Sequence, residues 1–160
     1  MTADPTPGLS EKDQNCILIA LSESERTSFG KTDFVRQSLP QKVFSAVWAA
    51  ESEVNNGGFA QYFQNTSVET ASFVVDALRM IGAPRTADIC QRAIAAAFPD
   101  GMPEDPEAAA SAVSHMPAAT VDELDRLDAE FLAYPHSLTE LLFAFVLAHP
   151  EEFGEVTGPA

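Results

Sequence analysis

Residues 40–65 read PQKVFSAVWAAESEVNNGGFAQYFQN, and how this stretch folds decides the class of the whole chain. Val43, Phe44, Val47, Trp48 and Val54 fall on one side of a helix that advances about 100° per residue. Glu51 and Asn55 lie on that same side, so a carboxylate and an amide lean toward the core. Asn55-Asn56-Gly57-Gly58 then supplies residues that cap and residues free to take φ > 0, which ends one helix and opens another. In the second helix Phe59 shares a face with Phe63, and Gln61 with Asn65.

Outward from this segment the helical spacing repeats. Phe73, Val74, Ala77, Leu78 and Ile81 form one stripe, Ile89, Cys90, Ala93, Ile94 and Ala97 another. Leu124, Leu127, Phe131 and Leu132 make a third, and Leu138, Leu141, Leu142 and Phe145 a fourth. Helix starts are marked by a hydroxyl with a Glu three residues on, at Thr66–Glu69, Thr120–Glu123 and Ser137–Glu140, and more weakly at Ser10–Asp13. Pro84 and Pro106, the latter after Asp105, suit first helical positions, and Gly82 reads as a stop. No alternating strand pattern appears. The prolines and Gly101 between Phe98 and Pro106 make a loop, and short links such as Tyr134 to Ser137 favour consecutive helices as antiparallel neighbours.

The expected architecture is therefore all-α, a compact single-domain bundle of about seven to nine short helices. Its domain spans residues 10–153, with a flexible N-terminus at 1–9 and a flexible tail at 154–160. With 160 residues and 46% hydrophobic side chains the chain can fill one core. Cys16 and Cys90 sit among apolar neighbours and read as small buried hydrophobes rather than a disulfide.

Asp128 falls at the edge of its apolar stripe, which makes it and Glu51 two inward-leaning acids in one small core. Because a buried carboxylate is costly without a partner, Glu51, Asn55, Asn56 and Asp128 are expected to form a satisfied polar network at a tight helix–helix corner. The competing interpretation is a pocket at the Asn55–Asn65 corner that binds a small molecule or acts on one, with Glu51 and Asp128 as acid and base.

Charge narrows the function. There are 24 Asp and Glu against 9 Lys and Arg, net −15, so the surface repels phosphate backbones and nucleic acid is not an expected ligand. Residues 81–160 hold 14 acids and 3 bases, whereas residues 1–80 hold 10 and 6. Glu104, Asp105, Glu107, Asp122, Glu123, Asp125 and Glu130 form the candidate partner-binding face. Carboxylates three or four apart on a helix stand roughly 5–6 Å apart, and phosphates along a DNA strand about 3.4 Å, so acids on a rigid helical frame can occupy a basic groove. Metal binding is not expected, since His115, His136 and His149 share no ligand spacing with one another or with a Cys. No phosphate loop, dinucleotide fingerprint or nucleophile elbow is present, so neither a cofactor nor an enzyme is expected. No signal or membrane-spanning run is visible, and the expected location is the cytoplasm. A third option is an acidic subunit that binds through an apolar helix face.

The run from Glu51 to Asn65, with Asn55-Asn56-Gly57-Gly58-Phe59-Ala60-Gln61-Tyr62-Phe63 at its centre, resembles the signature of the DNA-mimic protein family, an intracellular bacterial group. Ala77-Leu78 with Ile81-Gly82-Ala83, the segment from Ala93 to Pro99, and Leu127 to Phe131 resemble later family blocks in the right order. The resemblance spans residues 40–150 and departs at Thr66-Ser67-Val68, where a Ser-Gly-like turn is usual. It implies an all-helical, often dimeric domain whose acidic surface imitates DNA and occupies the DNA-binding face of a basic transcription regulator.

Overall fold

The computed structural model describes residues 8–23 and 32–154, so most of both expected flexible termini lies outside the described residues. Eight α-helices and no strand are found among them: α1 (Glu11–Ser22), α2 (Leu39–Gln64), α3 (Ala71–Met80), α4 (Pro84–Ala97), α5 (Pro106–Ser114), α6 (Ala118–Leu132), α7 (Leu138–Leu147) and α8 (Pro150–Phe153). The fold is all-α. Single 3-10 turns at Phe34–Arg36 and Thr66–Thr70 flank α2.

Local chemistry explains most of the helix ends. Ser10 and Ser137 cap α1 and α7, each accepting from the backbone N–H three residues on. Asp105 caps α5, and Pro84 occupies the first turn of α4. Gly82, at φ +88, closes α3: its N–H donates to the Arg79 carbonyl and that of Ala83 to the Leu78 carbonyl, the two bonds of a Schellman motif. Two expected starts are displaced. Thr66 opens a 3-10 turn without capping it, and Thr120 lies inside α6, which begins behind Pro117. Pro117 occupies the N-cap of α6, which has no side-chain cap bond. Ser38 and Gln41 form a capping box at α2 whose members also bond Glu152, tying α8 to the start of α2.

Helix α2 is the spine. α3, α5 and α6 pack along it, α4 bridges α3 and α6, and α1 lies against α7. The core is aromatic where α2 meets α6: Phe59 meets Phe131 edge-on at 5.7 Å between ring centres, and Phe63 meets Phe98 at 5.2 Å. The buried Tyr62 hydroxyl bonds Thr70, which itself donates to the Ser67 carbonyl. Two expectations need correction. α7 packs mainly on α1 and α2 rather than back on α6, because Tyr134 adopts φ +49 and Pro135 follows it, turning the chain away. Cys90 is buried, its thiol pushed up to about 12 by burial, but Cys16 is exposed on α1.

Candidate functional site

Gly57 and Gly58 break α2 in place. Gly58 stands at φ +77, a region that other residues adopt only with strain, so the chain runs as two helical segments, residues 39–56 and 59–64. The second segment opens with a free N–H on Phe59, and Asp128 of α6 accepts from it at 2.8 Å. A Cβ built on Gly58 would lie 2.3 Å from Asp128 Oδ2. The glycine is thus required twice, once for its backbone angle and once for the carboxylate that sits where a side chain would be. Burial holds the Asp128 carboxyl above its ordinary value, against the lowering effect of the Phe59 N–H.

Glu51 and Asn55 form a separate arrangement with Tyr134. The Asn55 amide donates to the Tyr134 hydroxyl at 2.7 Å and to the Glu51 carbonyl at 2.8 Å, while that hydroxyl donates to Glu51 Oε1 at 3.1 Å. Burial raises the Glu51 carboxyl, the Tyr134 bond opposes it, and Glu11 adds to the rise. On the far side of the break, Gln61 folds over Gly57, and Gln61 and Asn65 both donate to Glu53. The single network expected of Glu51, Asn55, Asn56 and Asp128 is therefore divided. Asn56 is exposed and belongs to neither part. Tyr134 and Glu53 complete the corner without having been legible in sequence: Tyr134 arrives from 79 positions beyond Asn55, and the Glu53 contacts cross a helix break that erases helical phase.

The acidic residues lie on α5, α6 and the loop before α5. Glu104, Asp105, Glu107, Asp122 and Asp125 are exposed, and Asp105 also caps α5 through the Glu107 N–H. Two of the seven candidates carry a counter-charge. Glu130 pairs with Arg92 of α4, and Glu123 with Arg126. Arg92 holds the Glu130 carboxyl below its ordinary value. Glu104, Glu107, Asp122 and Asp125 have no ion pair among the described residues. Glu107, Asp122 and Asp125 stand on helices braced against one spine, because α5 and α6 both pack on α2, and Glu104 lies in the loop that leads into α5.

Residues 36–149 match the family model described as DMP19-like protein. The chain belongs to the DMP19-like family. This is a DNA-mimic protein family, and the matched span contains the glycine corner and both acidic helices. No curated protein and no solved structure matches the chain significantly. Among the described residues no three His, Cys, Asp or Glu side chains are gathered as a metal site, and no helix is long and apolar enough to cross a membrane.

Proposed function

We infer that this DMP19-like protein is a cytoplasmic, non-enzymatic binding protein that mimics DNA and occupies the DNA-binding surface of a basic transcription regulator. The observation that carries this reading is the set of exposed carboxylates without a salt bridge among the described residues, Glu104 in the loop before α5, Glu107 on α5, and Asp122 and Asp125 on α6, with both helices packed on α2 in a chain of net charge −15. Helix-borne acids lose little conformational freedom on binding, and their long-range field speeds encounter with a cationic surface. Asp105, Glu123 and Glu130 form the rest of the proposed face. The proposed assembly is a homodimer, which sedimentation analysis tests directly.

The immobilised protein is expected to retain a basic DNA-binding protein at low salt, to release it at high salt, and to lose it to added duplex DNA. Retention that is indifferent to salt and DNA would overturn mimicry. The glycine corner has a structural role in this account. Asp128 is packed against Gly58, Gln61 is folded over Gly57, and Asn55 is spent on Tyr134 and the Glu51 carbonyl, so these three side chains are used in holding the corner.

A further inference from the structure

A cleft of about 580 Å³ opens between the start of α1, the middle of α2 and the turn into α7. Glu11, Lys12, Asn15, Glu51, Tyr134 and Ser137 contribute to its wall. It lies outside the proposed acidic face, and no step of DNA mimicry uses it.

Glu51 is the group to be explained. Its carboxylate is oriented from one side by the Tyr134 hydroxyl, which Asn55 in turn holds. Only Oε1 takes part, and Oε2 receives no hydrogen bond from the described residues. No basic side chain among them pairs with Glu51, although Lys12 stands on the same wall. Glu11 adds a second carboxylate. A partly dehydrated, preoriented carboxylate with a like charge nearby is unfavourable by itself, and it is relieved by a cation that brings its own N–H donors. A bare metal ion suits the site less, because three ligating side chains are not gathered there.

We propose that this cleft binds an alkylammonium or guanidinium group through the Glu51 carboxylate, with Tyr134 positioning that carboxylate and Glu11 adding charge. The group comes either from a small free amine or from a Lys or Arg side chain of a bound protein. The two sources present the same donors to Glu51 and are separated by experiment.

The test is an amide NMR titration of the full chain with methylguanidinium, with butylammonium, and with a short blocked peptide containing one Arg. Saturable shifts centred on Asn15, Glu51, Tyr134 and Ser137 are expected. Glu51→Gln should weaken binding roughly tenfold or more, because a charge-assisted contact becomes a neutral one. Tyr134→Phe keeps the charge but frees the carboxylate and should weaken binding less. Asp122→Asn/Asp125→Asn should leave it unchanged, so this site and the mimic surface can fail independently. Saturation by the peptide at lower concentration than by the free cations assigns a protein side chain, and the reverse order assigns a small amine. Shifts spread over the acidic surface without saturation, or unchanged binding in a folded Glu51→Gln protein, overturn the proposal.

Discussion

Gly58 concentrates the physics of the corner into one residue. Gly58→Ala must hold a non-glycine residue at φ +77 and also displace the Asp128 carboxylate. The expected cost is about 2–3 kcal/mol, a fall in Tm of roughly 5–10 °C for a chain of this size. In an Asp128→Ala background the collision is gone, so the two substitutions should be less costly together than their sum, and a double-mutant cycle of urea unfolding measures the difference. Strict additivity would mean that Asp128 does not occupy the glycine's space. Glu51 gives a pH prediction. Its carboxyl is raised above 4.5 in the fold, so the protonated form favours folding. That contribution is whole below the unfolded value and disappears as pH rises through the folded one. Glu51→Gln, uncharged throughout, should therefore gain on the wild type in urea midpoint from about pH 4.5 toward 7. A constant difference across that range would refute the burial account. The inward lean of both acids was legible from helical phase, since Glu51 follows Val47 by one turn and Asp128 neighbours Leu127 and Phe131. Their partners were not, because Phe59 N–H and the Tyr134 hydroxyl lie 69 and 83 positions away.

At the scale of elements, the ends of helices obey short-range rules where a side chain or a special backbone angle decides them. Gly82→Ala should cost about 1 kcal/mol, because the Schellman turn needs φ +88 while the added methyl meets only Leu141 at 3.8 Å. Thermal unfolding should show a loss smaller than that of Gly58→Ala; an equal loss would imply that a collision with a neighbour contributes at Gly82 as well. Ser137 and Ser10 were readable as caps from their own sequence neighbourhoods. Thr120 was misread for a reason that is also local: Pro117 allows the helix to start earlier, which leaves the hydroxyl inside it. The partner of α7 was misread for another. A short connection does not bring α7 back onto α6 when Tyr134 takes a left-handed angle and the apolar face of α7 finds α1 and α2.

For the whole molecule, the summed charge of −15 sets the long-range field. Converting Glu104, Glu107, Asp122 and Asp125 to their amides should slow association with a basic partner and flatten its dependence on salt. Surface changes of this kind alter folding stability by about 0.5 kcal/mol or less each. Asp122→Asn with Asp125→Asn and Glu123→Gln with Glu130→Gln each remove two negative charges, so at long range the two pairs should slow association alike, although the second also leaves Arg126 and Arg92 without their partners. Stopped-flow association rates across a salt series compare the two pairs, and a much larger effect of one pair would show that its carboxylates lie in the contact itself. The sequence by itself determined the all-helical class, the break at Asn55-Asn56-Gly57-Gly58 and the acidity of the second half. Each follows from composition or from interactions within about four residues along the chain. Tertiary structure alone decided that Asp128 caps the broken helix, that Tyr134 reaches Glu51 and that Arg92 neutralises Glu130. Those contacts depend on how α6 and its following turn settle against α2 and α4, and that placement is chosen by burial of the whole core rather than by any local signal.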